Sequence, residues 1–189
     1  KVRLTNTNEN FDYKYTELFP TINIGFERTE DQSFTVGYSR RLRRPRFWYL
    51  NPFESRSSQN VIYKGNPGLT PTFTNSFDLG YLQKIGKLTL NSSIYFQHSI
   101  NSILRVSRDE IRLLDGVNQV ITIREPINLA SEDRFGFELT ANYNPSKKVR
   151  LSGSFNVFQQ ESKGLYAYNK FIIDEITGAI SATPETQDL

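Results

Sequence analysis

The stretch Phe135-Gly136-Phe137-Glu138-Leu139-Thr140-Ala141-Asn142-Tyr143 decides the fold. Every second residue is apolar and the residues between are Gly, charged or polar. A period of two is the mark of a strand with one apolar and one polar face. Five other segments read the same way. Ile22, Ile24 and Phe26 alternate with Thr21, Asn23, Gly25 and Glu27, and Phe34, Val36 and Tyr38 alternate with Thr35, Gly37 and Ser39. Phe77, Leu79 and Tyr81 alternate with Ser76, Asp78 and Gly80, and Leu88, Leu90, Ile94 and Phe96 with Thr89, Asn91, Ser93 and Gln97. Val149, Leu151, Phe155 and Val157 alternate with Arg150, Ser152, Ser154 and Asn156. The pattern predicts strands over 19–28, 33–41, 73–84, 87–99, 133–144 and 148–159.

The joints between these strands go short, long, short, long, short, long. The short ones are Arg28–Gln32, Lys84–Lys87 and Asn144–Lys148, built from turn-forming residues. Phe26, Phe34, Tyr81 and Tyr143 stand just inside them, where an interfacial aromatic girdle belongs; ordinary strand aromatics are the alternative. This rhythm is that of outer-membrane strands, with tight turns on one side and long loops on the other. The expected fold is all-β: an antiparallel meander of about six to eight strands, an interior slice of a larger transmembrane barrel. Residues 1–189 read as one barrel segment, with long loops at about 42–72 and 100–132, a tail at 161–189 and no plug domain. Asp115-Gly116, between the apolar runs Ile103–Leu114 and Val120–Ile127, marks the second loop as a hairpin that prolongs its flanking strands. The tail repeats the idea, with Tyr166–Ile173 leading to a turn near Thr177-Gly178.

Bulk composition agrees. The chain of 189 residues is 37% hydrophobic and 13% aromatic with net charge +3, which points to no partner by itself. No run approaches the roughly 18 apolar residues of a membrane helix, but alternation halves the apparent hydropathy of a barrel strand. Without Cys there is no disulfide or thiol chemistry, and with no Met the expectation is a processed or excised segment.

The first long joint carries Tyr38-Ser39-Arg40-Arg41, Arg44-Pro45 and Leu50-Asn51-Pro52-Phe53. Gly65-Asn66-Pro67 with Leu69 and Pro71 follows, leading into Asn75-Ser76-Phe77-Asp78-Leu79-Gly80-Tyr81. Gly136-Phe137-Glu138-Leu139 and Tyr143-Asn144-Pro145 come later. In order and spacing this string resembles the β-barrel of TonB-dependent outer-membrane receptors of Gram-negative bacteria, over about residues 16–160. Thr72 departs from the acidic residue often found after the Leu-x-Pro step. The resemblance implies several partners: outer-membrane lipid, a plug domain of the same parent chain, a TonB-type energy-coupling protein acting through that chain, and a small nutrient ligand. The nutrient would be an iron chelate, a glycan or a peptide, taken up by binding and gated passage, with no enzymatic step and no cofactor. The other reading, from a different class, is a soluble β-sheet or β-sandwich module for recognition or adhesion.

Catalytic and metal chemistry find little footing. His98 is the single histidine, a poor basis for a metal site or a nucleophilic triad. Asp109-Glu110, Glu132-Asp133 and Asp174-Glu175 are adjacent pairs, which on a strand point to opposite faces. The run Arg40–Tyr49 could hold nucleic acid through phosphate contacts and stacking. No matching basic face accompanies it, and no nucleic-acid partner is expected. Within the loop Arg43–Thr72, the ligand-contact candidates are Arg44, Arg46, Trp48 and Tyr49, planar donors beside stacking faces. The alternative is that Trp48 is buried and only holds the loop. An isolated slice must cover its apolar face and strand edges, by curling, self-association or detergent.

Overall fold

The computed structural model describes residues 2–3, 10–11, 16–56, 58, 60–174 and 179–188. Its strands are β1 (Val2–Arg3), β2 (Asn10–Phe11), β3 (Thr21–Thr29), β4 (Gln32–Arg43), β5 (Ser55–Arg56) and β6 (Val61–Tyr63). Then follow β7 (Thr72–Ile85), β8 (Leu88–Leu114), β9 (Val117–Ser146), β10 (Val149–Lys163), β11 (Leu165–Ile173) and β12 (Ile180–Asp188). The one helical turn among the described residues is a 3-10 turn at Phe47–Tyr49. The six strands predicted from alternation are β3, β4, β7, β8, β9 and β10, paired antiparallel in sequential order. The sequence expectation of an antiparallel all-β meander therefore holds. The turn near Thr177-Gly178 lies outside the described residues.

Register puts the apolar sets on one face. Ile24, Val36, Leu79, Ile94, Phe137 and Val157 form one cross-strand row, and Ile22, Tyr38, Phe77, Phe96 and Phe135 the next. Phe26, Phe34, Tyr81, Leu139 and Phe155 lie in a third row, which Ser92 completes. Directly opposite rings touch, with Phe34 and Tyr81 4.8 Å apart and Tyr38 and Phe77 5.0 Å apart at their centroids. The other face carries rows such as Gly25, Thr35, Gly80, Ser93, Glu138 and Asn156. A slip of one residue would exchange the two sets. The apolar rows are uncovered, as Ile24 at 63% and Phe26 at 64% exposure show. Exposed apolar rows ~9–11 residues deep match the band a barrel turns to lipid.

The buried core lies elsewhere. Beyond the apolar band β8 and β9 run on together to Leu114 and Val117, closed by Asp115 (φ 51°) and Gly116 (φ 79°). Two consecutive left-handed residues form the hairpin turn whose twist matches the strands, and Gly takes that conformation without strain. A double irregularity at Ser99–Ile103, with Asn101 at φ 57°, separates this extension from the membrane portion. Strand β6 adds to the extension in parallel, pairing Ile62 with Ile123. Ile62, Ile121 and Ile123 are almost fully buried and Leu114 packs against them. Each such side chain contributes about 1.5–3 kcal/mol on burial. Strand β11 lies against the same extension, where Tyr166–Phe171 and Arg108–Ile111 share a cleft. Burial there, and after it the charge of Glu125, pushes the Tyr166 hydroxyl upward.

The segment between β4 and β7 is clipped to the extension by its Asn, Gly and Pro residues. Gly65 N–H donates to Asn51 O at 2.8 Å, and Asn66 N–H to Tyr49 O at 2.6 Å. Asn66 Nδ2 reaches Pro126 O on β9, and Asn128 exchanges bonds with Thr70 N and O while also donating to Asn101 O. A ladder of charges ties the outer end. Arg112 holds Glu54 with two bonds and Glu110 with a third, and Arg108 joins Glu110 to Glu125.

A Cβ on Gly65 would meet the Asn51 carbonyl oxygen, which belongs to rigid backbone. Gly65→Ala is therefore expected to free the 44–71 segment from the hairpin without disturbing the membrane strands. Limited proteolysis should cut that segment in the variant, while heat-modifiable migration on gels stays as in the unaltered protein. A second expectation concerns acid. The hydrogen bond from Arg112, opposed by burial and helped by the charges of Arg112 and Arg108, holds the Glu110 carboxyl below the usual 4.5. A folded-state value below the unfolded one gives stability that is complete above about pH 4.5 and is lost as pH falls through the folded value. Pepsin cleavage of the 44–71 segment, scaled to an unfolded peptide at each pH, should accelerate below pH ~4.5 and be flat just above it.

Candidate functional site

The four sequence-predicted residues gather around one side chain, Tyr49. The 3-10 turn Phe47–Tyr49 turns the chain sharply after Pro45, so Trp48 and Tyr49 present different surfaces. Arg44, Arg46 and Tyr49 line a hollow of about 270 Å³ with Arg43, Pro45 and Ile103. On its other side Tyr49 borders an open cleft of about 370 Å³ that it shares with Trp48. Phe53, Tyr63, Arg105, Arg124 and Pro126 also line it. The alternative of a buried Trp48 does not hold in this chain, because the indole is 59% exposed.

Three arginines lie over three rings. Arg46 is 5.3 Å from the Trp48 centroid, Arg105 5.3 Å from Tyr49, and Arg124 5.8 Å from Tyr63. Arg124 also donates to the Tyr63 hydroxyl at 3.0 Å. A guanidinium on an aromatic face keeps its in-plane N–H donors available at the edge. Several other arginines are paired with carboxylates. Arg40 binds Glu17, Arg108 and Arg112 bind the glutamate ladder, and Arg134 lies near Glu132. Among the described residues Arg44, Arg46, Arg105 and Arg124 make no ion pair.

Sequence reasoning missed Arg105, Arg124, Tyr63 and Phe53. A signal for the first two was available. A two-residue turn at Asp115-Gly116 fixes Arg105 opposite Pro126 and Ser107 opposite Arg124, which places both arginines on one face. Tyr63 had no such signal, because β6 is too short for its period to show. The loop signature itself is scaffold: Asn51, Gly65 and Asn66 are used up in backbone contacts, and they hold Tyr49 and Trp48 in place.

The remaining sites are structural. His98 Nδ1 lies 2.6 Å from Asp133 on the apolar-parity face, in the row Asn75, His98, Asp133, Glu161. That polar row, which Arg40 extends, interrupts the apolar face near its long-loop end, where Leu42, Phe73 and Ile100 form the next row. Among the described residues no group of three potential ligands could hold a metal ion.

Comparison with known proteins agrees with this architecture. The chain is similar to a mutant of the ferric enterobactin receptor PfeA of Pseudomonas aeruginosa solved with enterobactin, at 19% identity and a TM-score of 0.56, covering 72% of this chain and 21% of that one. It is similar to the siderophore receptor PirA of Acinetobacter baumannii, at 12% identity and a TM-score of 0.55, covering 79% and 26%. It is similar also to the FrpB iron transporter of Neisseria meningitidis, at 17% identity and a TM-score of 0.50, covering 78% and 20%. The chain thus spans about a fifth to a quarter of the length of those chains, and the likeness is one of fold. No curated protein matches. Residues 1–183 match the outer membrane protein beta-barrel family; with its lipid-facing rows and meander register, the chain belongs to that family and resides in the cell outer membrane.

Proposed function

We propose that the chain is part of a TonB-dependent receptor barrel that captures a scarce nutrient outside the cell and passes it through a gated lumen. The observation that carries this reading is the arginine–aromatic cleft, held above an exposed apolar band on a rigid hairpin extension. A recognition site on loops anchored to a stiff scaffold is what capture from dilute solution requires. Arg44, Arg46, Trp48 and Tyr49 make first contact in this reading. The nutrient is an iron chelate, a glycan or a peptide, and the likeness to siderophore receptors supports a receptor over an enzyme. Opening of the lumen belongs to the parent chain's plug domain and a TonB-type energy-coupling partner.

The test is uptake by the full receptor. Trp48→Ala with Arg46→Ala removes an exposed stacking face together with its cation. Central aromatic and arginine contacts of this kind typically contribute about 2 kcal/mol or more, so binding and uptake should fall about thirtyfold. Heat-modifiable migration should be unchanged, since neither side chain supports the barrel. Unchanged uptake in a properly assembled variant would remove this loop from recognition.

A further inference from the structure

The cleft holds two cations that no sequence motif announced, on strands outside the 43–72 loop. We propose that Arg105 and Arg124 form the seat for a carboxylate carried on a ring, so that the captured ligand is an acidic, ring-bearing molecule of the uronic-acid oligosaccharide type. This rests on the receptor reading above and adds to it a ligand class and two specificity-determining residues.

Geometry comes first. Arg105 is the register partner of Pro126, and Arg124 that of Ser107, so the two arginines are diagonal neighbours on one face of the β8–β9 extension. Diagonal neighbours stand roughly 7–8 Å apart, within reach of one ligand group for side chains of this length. Each guanidinium is stacked, Arg105 on Tyr49 and Arg124 on Tyr63. Stacking restrains the plane, and although Arg124 spends one N–H on the Tyr63 hydroxyl, the remaining donors stay at the edge. The edge of a guanidinium is a fork of parallel N–H donors, and the oxygen pair of a carboxylate is its complement.

Charge comes second. The acidic residue that lines the cleft, Glu125, already accepts from Arg108 Nε at 3.0 Å. Lys64 lines the cleft as a further cation. Arg108 and Arg112, on the same extension, are held by carboxylates, whereas Arg105 and Arg124 make no ion pair among the described residues. Two cations this close repel one another, and an oxyanion between their donors removes that repulsion.

Shape comes third. Phe53, 62% exposed, and Pro126 supply apolar surface beside the arginines. Flat apolar rings suit the C–H face of a sugar, whose hydroxyls remain in the open mouth. A bare oxyanion would use the forks and leave this surface idle.

Calorimetry on the full receptor in detergent tests the assignment with three probes: trigalacturonate, its methyl ester and inorganic phosphate. The acid should bind at least about tenfold more tightly than the ester, a difference of about 1.4 kcal/mol. Arg105→Ala with Arg124→Ala should erase that preference. Arg105→Lys with Arg124→Lys keeps charge and stem, safeguards the fold and should restore only a minor part, because a point charge lacks the fork. Equal binding of acid and ester, an undiminished preference in the double alanine variant, or competition by phosphate as strong as by the acid would each overturn the proposal. The two readings separate cleanly. If the Trp48 and Arg46 changes abolish uptake while the Arg105 and Arg124 changes leave the acid preference intact, the receptor stands and the carboxylate seat falls. If the preference disappears with Arg105 and Arg124 while uptake ignores Trp48 and Arg46, the seat stands and the loop's role in uptake falls.

Discussion

Hydrocarbon offers no water to a backbone amide, and from that deprivation the arrangement of this chain follows. Every N–H and C=O within the membrane must meet a neighbouring strand, so the chain can cross only as a sheet that leaves no gap in its ladder. Antiparallel pairing of β3, β4, β7, β8, β9 and β10 in that order supplies the ladder, with tight turns at one end. The turns are themselves latched, Lys84 N–H to Asp31 O and Asn144 N–H to Lys87 O, so each hairpin is fastened to the next. Once pairing is obligatory, side chains alone decide which face meets lipid. The alternation of Phe, Ile, Leu and Val with Gly, Thr, Ser and Asp makes that decision in every strand.

The same constraint explains why the hydrophobic core sits outside the membrane. A sheet bathed in lipid needs no packed interior, and Ile24, Phe77 and Leu79 remain uncovered in the single chain. Where β8 and β9 leave the lipid they enter water, and ordinary folding economics return. The Ile62, Ile121 and Ile123 cluster exists because two strands alone are marginal in water and need a third to bury a face. The two sides of the β6–β9 pair then divide the work. Ile62 and Ile123 face the core, while the next register pair, Tyr63 and Arg124, faces the cleft.

The membrane portion was legible because its signal is repeated: six strands with one period and three tight turns leave little freedom in topology. The extension was partly legible, since Asp115-Gly116 is a local device whose consequence is a register. The clip between loop and hairpin was visible only as a motif. Its chemistry, Gly65 against Asn51 and Asn66 on Pro126, depends on residues 14 and 60 positions apart, and no periodicity encodes such contacts. Strand β6 was hidden for a related reason: Val61–Tyr63 is short, and a parallel partner is announced by no turn. Arg44, Arg46, Trp48 and Tyr49 were nominated by residue type; the Asp115-Gly116 turn sets Arg105 and Arg124 on one face, but their meeting with Tyr49 and Tyr63 required the fold.

The parallel pairing of β6 with β9 carries a consequence for the order of events. Ile62 meets Ile123 only after the intervening chain has been threaded and the β8–β9 hairpin has closed. Closing a long loop is slow compared with zipping a hairpin around a two-residue turn, so the local hairpin forms first and the parallel strand docks onto it afterwards. The walls of the cleft come from both pieces, Tyr49 and Tyr63 from one and Arg105 and Arg124 from the other. The cleft is therefore a late product of assembly. A chain in which β6 has not yet docked has the residues of the cleft but not the cleft.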